Sequence, residues 1–288
     1  MIIASGKQVL REIDAEGFAL NEYELNYEEQ TVPDRIGFIA LPFPEITPFD
    51  LTKSTSKVYA CFVSKTKQQN LNPKLIPDII DFITGILMKP YPCREAQLVF
   101  VPNLFPHKHA QQSLNFAGGL HIMDQELLFR PTQLDKRHHA YKHITSALTY
   151  DFFGNVVKEG LPSDSWLIVA IRERFGDRFK KKRCGTLLYR YHVMKSIEKL
   201  YKQMKQGLET SPLQRAKTQA NDDEPDEVYR LGSPHPAEQN LSDIFYRKCG
   251  LIMHMIESNI DESNLDKIYR EMYWDALAVQ EPSQRTID

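Results

Sequence analysis

Two histidines four residues apart are the first groups in this chain whose type and spacing could do chemistry. His139 and His143, in HHAYKH, share a helix face, so both imidazoles could reach one tetrahedral metal. A hydrolytic zinc site also needs a carboxylate between the histidines as general base and a third ligand from elsewhere. Ala140 stands where that base would be, and no third ligand is evident. A solvated or capping role is therefore the simpler expectation, with His139 and His143 kept as metal candidates. His107 and His109, in PHKH, belong to a polar stretch where loop contacts are expected rather than ligation.

The second chemical feature is a run of cations: Arg172, Arg174, Arg178, Lys180, Lys181, Lys182 and Arg183. Such a cluster can bind phosphate backbones or an acidic partner. No base-reading module accompanies it, so the plainer expectation is a solvated helix end and turn. The acidic run Asp222–Glu227 reads as a solubilising stretch, with docking of basic partners as the sharper alternative. Gly118-Gly119 belongs to no GxxxxGK or GxGxxG pattern, so a nucleotide site is not expected.

The elements that must position these groups follow from periodicity. A short helix is expected around Lys7–Ile13, and IGFIALPF (36–43) reads as a buried strand. KVYACFVS (57–64) is apolar on both faces, which suits an interior strand. Leu75, Ile79, Phe82, Ile83, Ile86 and Leu87 recur at helical spacing. A helix over 74–88 follows, with Pro77 tolerated in its first turn and Pro90 stopping it. Residues 96–102 form a strand, 103–114 a polar loop, and 119–123 a further strand.

A central helix is expected over 134–153, with Tyr141, Ile144, Thr145, Leu148 and Phe152 as its stripe and Gly154 and Asn155 as left-handed caps. Ser163 or Asp164 caps the next helix, which runs to about 174. A third helix spans 185–205, with Leu188, Tyr191, Met194, Ile197, Leu200 and Met204 as its expected buried side. Residues 206–240, with glycine, prolines and DDEPDE, read as a disordered insertion. Helices return over 241–257 and 262–276.

The chain has 288 residues, 42% hydrophobic and 26% charged, with a formal net charge of -2. That balance gives no global field toward nucleic acid or membrane. No apolar run is long enough to span a bilayer, and the opening MIIASGKQVLREID lacks the basic start of a secretory signal. Cys61, Cys93, Cys184 and Cys249 are scattered without a CxxC pair. They suggest a reducing compartment rather than a disulfide or zinc framework.

The stretch KHITSALTYDFFGNVVKEGLPSDSWLIVAIRER (142–174) resembles the metal-site region of the M1 aminopeptidases, a gluzincin family. There HExxH is followed by an FGN-like corner, then a Trp-Leu and a third-ligand glutamate. Phe153-Gly154-Asn155 matches the corner and Trp166-Leu167 the dipeptide. Without a gap, Ser146 and Tyr150 fall on the two histidines, Ala147 on the general base and Val169 on the third ligand. Hydroxyls are poor zinc ligands, and alanine and valine offer none. The family's exopeptidase loop corresponds to NFAGGLHIMDQELL (115–128), without its glutamate-asparagine pair. Tyr246, in YRKCG, matches the tyrosine that stabilises the oxyanion in active members. Its plainer role is a packed aromatic at a helix start.

RIGFIALPFPEI, DIIDFITGILMKPYPCREAQLVFVPN, LTYDFFGNVV and GSPHPAEQNLSDIFYRKCGLIMHMIESNI resemble, in order, a branch of this superfamily that lost its zinc ligands within the general transcription factor TFIID. The resemblance implies an α+β fold of thermolysin-like M1 peptidase type, a small sheet plus a mainly helical half. It divides the chain into the end of a β-rich region (1–66), a peptidase-like domain (67–278, with 206–240 inserted) and a tail (279–288). Members of that branch are longer, so a fragment or short relative is expected. It also implies a non-catalytic nuclear scaffold without cofactor or small-molecule substrate, binding other TFIID subunits, with promoter DNA as a further partner. The alternatives are an M1-type zinc aminopeptidase with a displaced site and a peptide-binding module on the same fold.

Overall fold

The computed structural model describes residues 2–5, 7–13, 19–24, 36–41, 45–49, 56–62, 74–102, 113–125, 134–157, 165–205 and 239–280. Its centre is a five-stranded mixed sheet in the order β5-β6-β7-β9-β8. These strands are β5 (Glu45–Phe49), β6 (Lys57–Phe62), β7 (Glu95–Val101), β8 (Ser113–Phe116) and β9 (Leu120–Asp124). The central strands β6, β7 and β9 run parallel, and both edge strands pair antiparallel. The parallel β6–β7 step is spanned by α1 (Leu75–Leu87), the long crossover that parallel strands require. As its two apolar faces suggest, β6 is interior.

Alternation along these strands builds two cores. Val58, Ala60 and Phe62 of β6, with Ala96, Leu98 and Phe100 of β7, join the helices in the larger one. Cys61, Val99, Leu120 and Ile122 point the other way, where Ile3 and Leu41 cover them. That cover comes from the hairpin-like pair of β1 (Ile2–Ala4) and β4 (Phe38–Ala40). The sheet thus has helices on one face and a small β layer on the other. The mixed α+β class agrees with the sequence expectation.

Several local expectations give way. Lys7–Ile13 is not a helix but strand β2, paired antiparallel with β3 (Ala19–Glu24). Its Val9, Leu10 and Ile13 suit a strand, and the partner that satisfies its amides lies outside the local window. Residues 113 and 114, expected in a loop, begin edge strand β8. The 74–88 expectation agrees with α1, whose Leu75, Ile76, Ile79, Ile80, Ile83, Ile86 and Leu87 are buried.

The helical half comprises α2 (Leu134–Thr149), α3 (Ser165–Cys184), α4 (Thr186–Lys205), α5 (Gln239–Asn259) and α6 (Glu262–Gln280). The central helix ends at Thr149, short of residue 153. The Thr145 and Thr149 hydroxyls donate to the carbonyls of Tyr141 and Thr145, each at 2.7 Å, and such back-bonding loosens a helix terminus. A tight turn follows, with Tyr150 N–H donating to the Ala147 carbonyl at 3.0 Å. Gly154 has a positive φ of 152° but lies in the corner rather than capping the helix. A Cβ there would stand 2.5 Å from the Tyr150 ring. The corner is pinned by aromatic packing: Phe153 meets Phe175 at 5.7 Å and Tyr269 at 6.1 Å, and Phe152 meets Tyr273 at 5.4 Å.

The second correction concerns α3, which continues ten residues beyond the expected end at 174, so the basic run is helical rather than a turn. The helix is long because α2 packs along its length. At Gly176 the two backbones come so close that a Cβ would lie 2.6 Å from the Lys142 carbonyl. The third concerns α4. Its span agrees, but its burial differs: Tyr189 is buried and Leu188 and Leu200 are half-buried, while Tyr191, Met194, Ile197 and Met204 are exposed. Among the described residues no helix is long and apolar enough to cross a membrane. The expected Ser163 or Asp164 cap, His107 and His109, the 206–240 insertion apart from its last two residues, and the acidic run all lie outside the described residues.

Candidate functional site

The α2–α3 seam brings together the positions singled out from the corner motif. Ser146 and Ala147 are buried on α2, Tyr150 follows at its end, and Val169 is buried on α3. The Ser146 hydroxyl donates to Glu173 Oε1 at 3.1 Å. The Arg172 guanidinium lies 4.7 Å from the centroid of the Tyr150 ring, a cation–π contact. Its Nε donates to the Ser146 carbonyl at 3.3 Å. This donor set does not fit zinc: one hydroxyl is committed to a carboxylate, the phenol ring is stacked under a cation, and Val169 has no donor atom.

An ion-pair network occupies the same seam. Lys142, one turn before Ser146, places Nζ 2.8 Å from Glu173 Oε2 and 3.5 Å from Asp177 Oδ1. Burial works against the Lys142 ammonium, but Asp177 and Glu173 hold its pKa above the ordinary lysine value. Burial also works against the Asp177 carboxylate, which Lys142 and Lys180 nevertheless hold below its usual range. Lys142 and Glu173 were missed in the sequence. Helical arithmetic contains the signal: Lys142 precedes Ser146 by four and Glu173 follows Val169 by four, so each shares a face with a motif position.

A second buried node joins the corner to the sheet. Asp151, fully buried, accepts from the Tyr91 hydroxyl. It also accepts from Asn155 Nδ2 at 3.2 Å and lies 2.9 Å from His121 Nε2. The other ring nitrogen of His121 meets the Asn115 carboxamide at 3.0 Å. Strands β8 and β9 are thereby tied to the end of α2. A carboxylate, an imidazole and a carboxamide in line resemble a charge-relay arrangement. His121 and Asp151 are nevertheless sealed from solvent, so the chain of bonds acts as a structural pin.

The histidine candidates on α2 gather otherwise than expected. His139 and His143 stack with nearly parallel rings, centroids 5.9 Å apart. His192 of α4 stands 5.5 Å from His138 and 6.5 Å from His139. His138 Nδ1 lies 2.8 Å from Cys184 Sγ. Burial, then Lys142, push the His143 imidazole well below its ordinary pKa. Among the described residues no group of three or more His, Cys, Asp or Glu is arranged to hold a metal ion.

The basic run is divided by folding. Arg178 is buried and bonded to Asp266 at 2.6 Å and Glu262 at 2.7 Å. Lys180 is buried beside Asp177 at 3.9 Å. Arg183 pairs with Asp78, and Lys182 lies 5.3 Å from the Phe82 ring centroid. Arg174, fully buried, pairs with Glu257 and donates to the Tyr189 hydroxyl. Arg174, Arg178 and Lys180 therefore hold the helices together, while Lys182 and Arg183 remain at the surface and Lys181 is half-buried.

Tyr246 is half-buried near the start of α5, with its ring edge-on to Phe245 at 6.1 Å. It packs against the main core. Cys249, three residues on, is buried, and burial with the Glu173 carboxylate raises its thiol pKa. The α5 face that carries Tyr246 therefore lies toward the seam. No protein-family model matches this chain, and no curated protein matches it.

Proposed function

We propose that the chain is a non-catalytic scaffold with a thermolysin-like, M1 peptidase-type fold, related to the peptidase-like domain of subunit 2 of the transcription initiation factor TFIID. The observation that carries this reading is the ion pair of Lys142 with Glu173 beside Ser146, Tyr150 and Val169. A hydrolytic zinc centre needs three converging donors and a base. Here the aligned positions supply a committed hydroxyl, a stacked phenol, a valine and an alanine. The mixed sheet with an antiparallel edge strand, followed by two helices joined through an FGN corner, supports the peptidase-like fold. Under this reading the chain works through surfaces, binding other TFIID subunits in the nucleus, with promoter DNA as a further contact.

The test is affinity purification of the tagged chain from nuclear extract, with the bound proteins identified by mass spectrometry. Recovery of TFIID subunits is expected. Their absence, or stoichiometric zinc with chelator-sensitive release of an aminoacyl fluorophore, would overturn the reading in favour of an aminopeptidase with a displaced site.

A further inference from the structure

Helix α4 turns an apolar face outward as well as inward. Its inner side mixes Leu188, Tyr189, Val193 and Leu200 with His192, Ser196 and Gln203, all buried or half-buried. Its outer face carries Leu187, Tyr191, Met194, Ile197, Tyr201 and Met204, with Leu187 at 84%, Met194 at 68% and Tyr201 at 66% exposure. These residues follow one another at intervals of three and four, a continuous stripe along the helix. Scattered exposed apolar residues need no explanation, but a contiguous stripe of this length marks an interaction surface. Among the described residues nothing covers it.

The charges beside the stripe choose its occupant. Helix α4 carries Arg190, Lys195, Lys199, Lys202 and Lys205 against Glu198 alone, in a chain whose net charge is -2. Glu198 is already engaged by Lys195 at 3.2 Å and Lys202 at 2.8 Å. A second copy of this chain is a poor fit. In a parallel pairing, Arg190 of each chain would face Lys195 of the other, a like-charge contact that such pairs avoid.

We infer that the outer face of α4 docks an amphipathic helix of another protein, apolar at three-four spacing and flanked by glutamate or aspartate. Its apolar face covers Tyr191, Met194 and Tyr201, and its acids meet the lysines on either side. This inference stands on α4 alone and does not depend on the TFIID reading.

The test uses the full chain and two synthetic helical peptides of about 20 residues, long enough to hold helical structure. Both have leucine at three-four spacing. One carries glutamate at the flanking positions, the other lysine. Fluorescence anisotropy should show the glutamate peptide binding at least roughly tenfold more tightly than the lysine peptide, with its affinity falling as salt is raised. The double substitution Met194→Ala, Tyr201→Ala should weaken it by at least about tenfold, as loss of central apolar anchors does. Met255→Ala, an exposed residue of α5, should change nothing. Circular dichroism melts confirm that each variant folds.

Failure of both peptides to bind, equal binding of the two, or indifference to the α4 substitutions overturns the inference. So does a dimer seen by light scattering that Met194→Ala, Tyr201→Ala returns to monomer, which makes a second copy the occupant. Binding that appears only after Asp222, Asp223, Glu224, Asp226 and Glu227 are neutralised makes the chain's own acidic run the occupant, and also overturns it.

Discussion

Lys142 on α2 and Glu173 on α3 meet at 2.8 Å, one turn away from Ser146 and Val169 on their respective helices. The pair joins the two helices of the seam by charge.

Lys142→Met takes from Glu173 the cation at 2.8 Å and leaves Asp177 to the more distant Lys180 at 3.9 Å in a largely buried seam. Removing one partner of such a pair costs about 3 kcal/mol, so the urea midpoint should fall markedly at neutral pH. Asp177, held below its usual pKa by Lys142, contributes stability above pH 3.8 that is lost as pH falls toward its folded value. The variant should therefore lose less stability than the parent on acidification through that window. Equal acid sensitivity in the two proteins would contradict the assignment.

His143 has its folded pKa pushed below 6.5 by burial and then by Lys142. The unfolded chain takes up the proton first, so protonation favours unfolding. Stability is full above about pH 6.5 and declines as pH falls from there toward the folded value. His254, whose pKa is also lowered, acts in the same direction. Urea titrations at descending pH should show the decline, and His143→Gln should reduce its slope. A flat profile in the native chain would refute this.

Asp151→Ala leaves Tyr91, His121 and Asn155 facing a buried gap. Stranding several buried donors should cost about 3 kcal/mol or more in total. Asp151→Asn keeps the size and part of the acceptor capacity, so it should cost less. Chemical denaturation of both variants tests the ranking, and hydrogen exchange should show the loss of protection spreading into β9.

Restoring ligands tests the fold reading directly. Ser146→His, Tyr150→His, Val169→Glu places one imidazole on α2, a second in the turn just past its end and a carboxylate on α3, the donor set of a gluzincin. The triple variant should retain about one zinc per chain after desalting, measured by atomic emission, and the native chain should not. Loss of zinc on reverting Val169 alone would show that α3 supplies the third ligand. A folded triple variant that retains no zinc would count against the peptidase-type geometry.

Much of the local structure was legible. The isoleucine-leucine period of α1 and the doubly apolar runs of β6 and β7 state their own conformation, because a helix stripe or strand alternation is written within one element. The FGN corner was visible only through its resemblance to a known motif; that Gly154 stands where a side chain would enter the Tyr150 ring is seen only in the fold. Strand β2 was not legible, since its identity depends on pairing with β3.

The candidate site divides along the same line. From residue types alone it follows that Ser146, Ala147, Tyr150 and Val169 are poor substitutes for a zinc ligand set. Only the tertiary structure decides what fills the seam instead, because Lys142 and Glu173 stand on different helices. Likewise, the run from Arg172 to Arg183 looks like one basic patch in sequence. Folding brings Asp266 and Glu262, 88 and 84 residues away, onto Arg178 and withdraws that cation from the surface. The two faces of α4 are both apolar enough to be core in a one-dimensional reading. Which one is buried depends on what α3 and α5 present to it. Periodicity determines that a helix forms, whereas its orientation is a contest between faces that only the packed neighbours resolve.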